Sequence, residues 1–304
     1  MVKVACAADD EHRGSLGEDP DEPHAAAMDL AMTWSNLRSA SLTCVGDALD
    51  RTSPTRETLR TGHGLTGGHT VARERGGFWI GFCAVFFYPF GWLSARPRFV
   101  GLENIPRTGG AVIAANHISH VDPIYSALAV HIARRVPRFL AKDSLWRVPL
   151  LGTILRSTGQ IPVFRGTADA KGSLREGTAA LEGGKALIVY PEGTISRDPA
   201  HWPMQPRTGV ARLALAAGVP VVPMVHWGTQ AVLDGYRKRY RPLPRTTVTV
   251  RCGEPVDLSA YRGRTVDAAV LREVTDLIMG QVRDLLAEVR EEPAPQDFYR
   301  RETA

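Results

Sequence analysis

The segment NHISHVDP, residues 116–123, places a histidine, His117, five positions before a carboxylate, Asp122. A neutral imidazole is the side chain best suited to accept a proton near pH 7, and an ionised carboxylate can hold its tautomer and stabilise the imidazolium that forms. The pattern therefore indicates a general base with an orienting partner. An alternative is that Ser119 and Asp122 cap a helix and that His117 is an ordinary loop histidine.

The elements around this pair predict where it lies in the fold. The apolar run at residues 110–115 is typical of a buried strand, and Asp122 with Pro123 begins a predicted helix. His117 is therefore expected at a strand-to-helix turn on the carboxyl edge of a sheet, where open α/β folds place their sites. His120 is a competing base, but its spacing from Asp122 does not fit the pattern.

Short apolar runs alternate with helical stretches from residue 100 to residue 256, which predicts an α/β fold with a single central mixed sheet flanked by helices. The predicted strands are AVIAA, RFLA, IPVF, ALIVY, VPVVPMV and TVTVRC. Residues 267–290 have apolar side chains at helical spacing and are expected to close the fold as an amphipathic helix. The polar tail from residue 291 is expected to fray.

An apolar segment precedes this region and is expected to form an N-terminal membrane-associating helical segment. Residues 78–93 carry no charge and include eight aromatic residues, with two arginines on each side. They are fewer than the roughly 20 residues that a helix needs to cross the hydrocarbon core, and Pro89 is expected to interrupt a helix. Shallow insertion at the headgroup level is therefore expected, with a buried core helix as the alternative.

Composition is that of a globular protein of enzyme size, with 44% hydrophobic residues among 304. The four cysteines form no CxxC pair, so neither a zinc site nor a disulfide framework is indicated, and no metal or cofactor is expected. The expected organisation is a disordered extension over residues 1–76, an interfacial apolar segment over 77–96, the α/β catalytic domain over 97–260, and a C-terminal amphipathic helix and tail over 261–304.

A formal net charge of +5 favours anionic partners. The clustered basic residues are Arg134, Arg135, Arg138 and Lys142 in a first group, and Arg237, Lys238, Arg239, Arg241 and Arg245 in a second. No zinc-finger, helix-turn-helix or RNA-binding aromatic pattern accompanies them, so nucleic acid is not an expected partner and an anionic membrane surface is. The alternative is that they are solvated surface residues.

Three further blocks accompany NHISHVDP: GQIPVFR at residues 159–165, YPEGTIS at 190–196 and GVPVVPM at 218–224. In this order and at these intervals, the four blocks resemble the glycerolipid acyltransferase family, which includes bacterial 1-acyl-glycerol-3-phosphate acyltransferases. The resemblance extends roughly over residues 77–290.

The resemblance implies a role for each block. His117 is implied to be the general base on the acceptor hydroxyl, which then attacks an acyl thioester, and Asp122 is implied to orient it. Arg165 matches the position that binds the acceptor phosphate in relatives, a task that suits a planar guanidinium. The candidate substrate-binding residues are Asn116, Arg165, Glu192, Gly193, Thr194, Arg207 and Arg197.

The third block departs from the family pattern at one position. Many relatives continue EGT with arginine, but Ile195 stands there in this chain. Arg207 in PRTG or Arg197 is expected to replace that arginine, and Arg207 is favoured. Glu192 is alternatively expected to orient basic residues, because a buried carboxylate needs a partner.

The activity that the resemblance implies is acyl transfer from acyl-CoA or acyl carrier protein to the sn-2 hydroxyl of lysophosphatidic acid, at the cytoplasmic face of the cell membrane by a peripheral or monotopic protein. The alternatives are another lysolipid or glycolipid acceptor, hydrolysis of an acyl ester or thioester, and a silent lipid-binding protein. Hydrolysis is disfavoured by the lack of a GxSxG nucleophile elbow. The presence of both His117 and Asp122 argues against a catalytically silent lipid-binding protein, since binding alone needs neither residue.

Overall fold

The computed structural model describes residues 77–163, 170–237 and 239–300, in which a seven-stranded sheet carries helices on both faces. The strands are β1 (Ala95–Val100), β2 (Ala111–Ala115), β3 (Arg138–Lys142), β4 (Ile161–Val163), β5 (Ala186–Val189), β6 (Val221–Trp227) and β7 (Thr246–Cys252). The helices are α1 (Phe78–Ser94), α2 (Asp122–Ile132), α3 (Leu151–Ser157), α4 (Ala170–Glu182), α5 (Gly209–Ala217), α6 (Thr229–Val232) and α7 (Ala268–Arg290). The disordered extension expected over residues 1–76 lies outside the described residues.

The strands lie in the order β1-β7-β6-β2-β5-β3-β4. Neighbouring strands are parallel except for β6 and β7, which are antiparallel. The prediction of one central mixed sheet is therefore confirmed, and each of the six apolar runs contributes a strand. Strand β1 was not predicted because its sequence, ARPRFV, contains two arginines and a proline. It lies at the edge of the sheet, where proline is tolerated.

Strand β2 lies in the centre of the sheet and is buried on both faces. Val112 and Ala114 contribute to a core that includes α4, α5 and α7, whereas Ile113 and Ala115 contribute to a second core that includes α1 and α2. Burial on both faces explains why this strand is an uninterrupted apolar run rather than an alternating one. The strand therefore holds the residues that follow it on a rigid support.

Helix α1 continues through Pro89, so the prediction that this proline interrupts a helix is wrong. A proline in a helix interior costs about 3 kcal/mol because a hydrogen bond is lost. Packing beyond the proline stabilises the helix: Phe90, Gly91 and Ser94 are buried. A β-carbon at Gly91 would lie 2.6 Å from Leu128 Cδ1, so the two helices α1 and α2 are in close contact there.

The predicted C-terminal amphipathic helix is confirmed as α7. The expectation that the following tail frays is wrong for residues 291–300. Asp267 caps the helix by accepting a hydrogen bond from the Val270 N–H at 2.8 Å. Beyond the helix, the carbonyl of Tyr299 accepts a hydrogen bond from the Gln205 N–H at 2.9 Å. This backbone pairing holds the tail against the loop that precedes α5.

Part of the first basic group is structural rather than available to a partner. Arg135 is 3% exposed, and its guanidinium donates hydrogen bonds to the carbonyls of Pro106, Gly109 and Gly184. Arg138 is 8% exposed. The interpretation of this group as solvated surface charge is therefore wrong for these two buried arginines. Arg135 is buried because the loop carbonyls that it binds need donors.

Candidate active site

Three neighbouring parallel strands end at the candidate site. Strand β2 pairs with β5 on one side and with β6 on the other, so their carboxyl ends share one edge of the sheet. Asn116 and His117 follow β2, Tyr190 follows β5, and His226 lies near the end of β6. The apolar runs that bury these strands thus bring distant polar residues together, as is usual at this edge of an α/β sheet.

The His117 ring and the Asp122 carboxylate are in direct contact. His117 Nδ1 lies 2.9 Å from Asp122 Oδ2. The same oxygen accepts hydrogen bonds from the backbone N–H groups of Ile118 at 2.6 Å and Ser119 at 2.8 Å. Asp122 is the first residue of α2, where the helix dipole favours a carboxylate. The interpretation as a base with an orienting partner and the interpretation as a cap therefore both hold, because Asp122 Oδ2 accepts the backbone N–H groups of the turn and also contacts the His117 ring.

The electrostatics of the pair fix the tautomer of the histidine. Burial alone would raise the pKa of Asp122, but the hydrogen bond with His117 and interactions with His226 and Thr229 outweigh it and lower the pKa below its ordinary value. An ionised carboxylate only accepts hydrogen bonds, so His117 Nδ1 must donate. Nε2 therefore carries the lone pair, and the His117 side chain is 16% exposed, which leaves it open to a substrate.

Glu192 braces the loop that carries the base. The residue is 4% exposed. Its Oε1 accepts the backbone N–H of His117 at 2.9 Å, and its Oε2 accepts the backbone N–H of Met204 at 2.9 Å. Both carboxylate oxygens are thus used by backbone groups, and the side chain connects the loop after β5 to the backbone of the base itself.

The burial of Glu192 gives a testable pH dependence of stability. Burial raises its pKa from 4.5 to about 8. Because the folded state then binds a proton that the unfolded state has released, the free energy of unfolding falls as pH rises from about 4.5 to about 8, by at most about 1.4 kcal/mol per pH unit. Glu192→Gln lacks this titration. We expect the melting temperature of the wild type to fall relative to that of Glu192→Gln over this range.

Thermal melts of both proteins across the same pH series measure this difference. Glu182→Gln, at an exposed position at the end of α4, is the control and is expected to follow the wild type. A constant difference between the wild type and Glu192→Gln at all pH values would contradict the raised pKa.

Asn116 lies beneath the site and connects two strands. Its side chain is fully buried, Nδ2 donates to the His226 carbonyl at 3.1 Å, and Oδ1 accepts the His226 N–H at 2.8 Å. The amide of Asn116 therefore joins the end of β2 to the end of β6. This pairing fixes the backbone immediately before His117.

The EGT turn brings one arginine close to the dyad's loop. Gly193 has φ of 73°, a conformation that favours glycine. A β-carbon there would lie 3.4 Å from Arg207 Nε, so the guanidinium packs against this glycine. Thr194 is exposed, whereas Ile195 is only 8% exposed. Ile195, which stands where the family resemblance implies an arginine, therefore faces the interior.

The remaining predicted site residues differ in placement. Arg207 and Arg197 are both exposed, and Arg197 interacts with Tyr236. Arg165 lies outside the described residues. Across the part of the chain that the structure describes, no group of His, Cys, Asp or Glu side chains is arranged to hold a metal ion.

Three residues at the site received no role from the sequence pattern. The Tyr190 ring stacks on the His117 ring, with centroids 4.4 Å apart and an interplanar angle of 25°. Behind Tyr190 lie Ser126 and His226, both fully buried. The tyrosine of YPEGTIS was the one available signal, since Ser126 and His226 are separated from the dyad in sequence and meet it only through the sheet topology.

Comparison with known proteins identifies the domain that carries this site. Residues 96–227 match the family model described as Acyltransferase. The chain is 30% identical over 179 residues to a 1-acyl-sn-glycerol-3-phosphate acyltransferase of Limnanthes douglasii, which covers 58% of this chain and 60% of that protein. It is also 30% identical over 149 residues to the enzyme of that name from Borreliella burgdorferi, covering 45% and 54% of the two chains.

A solved structure extends the similarity to the fold. The crystal structure of the 1-acyl-sn-glycerophosphate (LPA) acyltransferase PlsC from Thermotoga maritima matches with a TM-score of 0.53 and 26% identity, over 68% of this chain and 80% of that one. The chain spans about half the length of the curated relatives that it matches. The His117–Asp122 dyad thus lies within residues 96–227, the region that matches the Acyltransferase family model and that is similar to 1-acyl-sn-glycerol-3-phosphate acyltransferases.

Proposed function

We propose that the protein transfers a fatty acyl group from acyl-CoA or acyl carrier protein to the sn-2 hydroxyl of lysophosphatidic acid, giving phosphatidic acid. The observation that carries the proposal is the 2.9 Å contact between His117 Nδ1 and the buried Asp122 carboxylate. It leaves Nε2 as a base on a partly exposed ring. The names of the relatives that share this domain support the choice of acceptor.

The proposed reaction is a single displacement without an acyl-enzyme. His117 Nε2 takes the proton of the acceptor hydroxyl as its oxygen attacks the thioester carbon, and Asp122 stabilises the imidazolium. The tetrahedral intermediate then expels the thiolate, which receives the proton from His117 and leaves as the free thiol. One ester bond forms and one thioester bond breaks, so no further reactant is needed.

The acceptor phosphate is proposed to bind to arginine side chains. Arg207 is the favoured replacement for the arginine missing at Ile195, because its exposed guanidinium packs on the Gly193 turn, one residue after Glu192. Arg165 is proposed as a second phosphate ligand, and Arg197 is the less favoured alternative to Arg207. A guanidinium donates paired hydrogen bonds to phosphate oxygens.

Loss of Arg207 is expected to weaken acceptor binding more than chemistry. A charge-assisted hydrogen bond contributes about 1.5 to 3 kcal/mol, so Arg207→Ala should raise the KM for lysophosphatidic acid about 10- to 100-fold with little change in kcat. Arg165→Ala is expected to act in the same direction. Steady-state kinetics with Arg212→Ala, an exposed arginine on α5, as the control measure the effect. An unchanged KM for lysophosphatidic acid in Arg207→Ala would contradict the assignment of Arg207 as a phosphate ligand.

A second candidate function keeps the chemistry and changes the acceptor. Ile195 is buried where many relatives place an arginine, which favours an acceptor with a different headgroup, such as another lysophospholipid or a glycolipid. Hydrolysis is less favoured, since arginines that bind an acceptor phosphate would add nothing to the activation of water.

Membrane association is proposed through a docking surface made of α1 and the loop at residues 233–245. The exposed apolar side chains of α1 are Phe78, Val85, Trp92 and Leu93, and those of the loop are Tyr236, Tyr240 and Leu243. Tyr240 stacks on Phe90 of α1, and Arg245 donates hydrogen bonds to the carbonyls of Trp92 and Ala95. The arginines of the loop add positive charge to this surface, which suits anionic lipid headgroups.

No helix within residues 77–163, 170–237 and 239–300 is both long and apolar enough to cross a membrane. The attachment that we propose, through the docking surface, is peripheral or monotopic. Because acyl-CoA and acyl carrier protein are cytoplasmic donors, the proposed location is the cytoplasmic face of the cell membrane.

Charge placed on the docking surface is expected to release the protein from lipid. Leu93→Asp on α1 and Leu243→Asp on the loop should each lower the affinity for vesicles containing anionic phospholipid about 10-fold, since each removes the insertion of one apolar side chain. Vesicle sedimentation measures binding. Val266→Asp is the matched control because Val266 is also exposed but precedes α7, which packs on the opposite face of the sheet. Equal loss in all three variants would contradict the assignment of the surface.

A panel of acceptors tests the proposed function. Labelled oleoyl-CoA is incubated with detergent-purified protein and lysophosphatidic acid or lysophospholipids with other headgroups, and the products are separated. Phosphatidic acid as the main product is the expected result. Transfer only to another acceptor would select the second candidate, and release of free fatty acid alone would overturn acyl transfer.

A further inference from the structure

A series of largely buried polar side chains lies behind the stacked face of the His117 ring, and the proposed reaction does not use it. The Tyr190 hydroxyl lies 2.8 Å from Ser126 Oγ, and Ser126 Oγ lies 2.9 Å from His226 Nε2. These three side chains pair with one another through these two contacts, whereas the buried Nδ1 of His226 has no hydrogen-bond partner among the described residues. We call Tyr190, Ser126 and His226 the rear chain.

Both ends of the rear chain reach the catalytic base. At one end the Tyr190 ring stacks on the His117 ring. At the other end the backbone of His226 exchanges two hydrogen bonds with the side chain of Asn116, the residue before His117. The ring and the backbone of the base are therefore held by the same connected set of groups, which spans β2, α2, β5 and β6.

The rear chain is largely buried and neutral. Ser126 and His226 are fully buried. Burial lowers the pKa of His226 and raises that of Tyr190 well above 10, so neither carries charge at neutral pH. Besides Ser126 and Tyr190, the groups that act on His226 are Asp122, His117 and Asn116. Hydrogen bonds between neutral groups in a low-dielectric interior hold geometry well.

We propose that the rear chain is a positioning device for general-base catalysis: it fixes the plane of the His117 ring so that Nε2 points at the acceptor hydroxyl. Asp122 restrains the ring only at Nδ1, about which the ring can still tilt. The Tyr190 stack removes that freedom, and the hydroxyl link to Ser126 keeps Tyr190 itself in place. The inference rests on the proposed function, since it assigns residues that support the same base.

The test is a double-mutant cycle. Tyr190→Phe keeps the stacked ring and removes the hydroxyl, and Ser126→Ala removes the central link. Each is expected to lower kcat about 10-fold, less than the roughly 100-fold cost of a 1 Å misplacement, with the acceptor KM unchanged because neither contacts substrate. The double variant is expected to fall about 10-fold rather than about 100-fold, because both changes break one chain.

A second buried serine–tyrosine pair provides matched controls. Ser94 and Tyr125 are buried, and their hydroxyl oxygens lie 3.2 Å apart at the contact between α1 and α2. Ser94→Ala and Tyr125→Phe remove equivalent hydroxyls without touching His117. They are expected to lower the melting temperature by a similar amount and to leave kcat unchanged.

A substrate-independent readout separates this inference from the proposed function. Nitrogen-15 NMR of the histidine rings is expected to show a changed His117 environment in Tyr190→Phe and Ser126→Ala but not in the controls. The spectrum of the wild type is expected to show a neutral His226 with one hydrogen-bonded nitrogen. This measurement needs no variant.

Wild-type kcat together with an unchanged His117 signal in the Tyr190 and Ser126 variants would overturn the rear chain while leaving acyl transfer intact. The rear chain would also be overturned if the double variant lost activity additively, or if a wild-type spectrum lacked the hydrogen-bonded His226 nitrogen. Absence of acyl transfer by the wild type would overturn the proposed function, and the NMR comparison would still decide on the chain.

Discussion

Replacement of His117 by alanine is expected to lower kcat about 100- to 10,000-fold, which is the contribution of a positioned general base. The acceptor hydroxyl has a pKa far above neutral, so it cannot attack the thioester efficiently unless its proton is removed as the bond forms. His117 Nε2 is the atom that the geometry leaves available for this, since Nδ1 is bound to Asp122. The KM values for both substrates are expected to change little.

The fold should tolerate this substitution. The His117 side chain is partly exposed, and the backbone bonds to Glu192 and Ser196 do not depend on the imidazole. Circular dichroism and a thermal melt check that the variant is folded. His120→Ala is the matched control, because this exposed histidine lies in the same segment and was the competing base. A His120→Ala enzyme that loses as much kcat as His117→Ala would contradict the assignment.

The second large effect is expected for Asp122→Asn. The amide cannot stabilise the imidazolium, and it can hold the ring in the wrong tautomer, a change that costs up to about 10,000-fold in kcat in the Ser-His-Asp template. Stability should fall as well, by about 1 to 3 kcal/mol, because Oδ2 accepts three hydrogen bonds in a fully buried position.

Parallel measurement of kcat and of the free energy of unfolding separates the two effects. Asp267→Asn is the control, since this carboxylate also accepts a backbone N–H, at the start of α7, away from the dyad. The control should lose little of either quantity. An Asp122→Asn enzyme that is destabilised yet keeps wild-type kcat when folded would show that the carboxylate only caps the turn.

Much of the fold could be predicted from the sequence because central strands are buried on both faces. The runs that became β2, β5 and β6 are buried along nearly their whole length, which explains their uninterrupted apolar sequences, whereas β7 alternates between buried and more exposed residues. Strand β1 escaped this criterion because it lies at an edge and contains Arg96, Pro97 and Arg98. The continuation of α1 through Pro89 could not be predicted from the sequence either, because it depends on the packing of Phe90 and Gly91, which is a tertiary effect.

Within the candidate site, a contact between residues close in sequence could be predicted from their spacing. Contacts between residues far apart in sequence could not. His117 and Asp122 are five residues apart, and their contact follows from one turn. By contrast, the use of both Glu192 oxygens by backbone groups depends on a loop that folds back from Met204. The position of His226 beside Ser126 depends on the pairing of β6 with β2, which no local pattern encodes.

The most direct test of the account is formation of labelled phosphatidic acid from oleoyl-CoA and lysophosphatidic acid by wild-type protein and by His117→Ala, purified in parallel and matched for folded content. Acceptor-dependent product from the wild type, with a loss of at least about 100-fold in the variant, is the predicted result. Equal product formation by both proteins would contradict the assignment of His117 as the catalytic base.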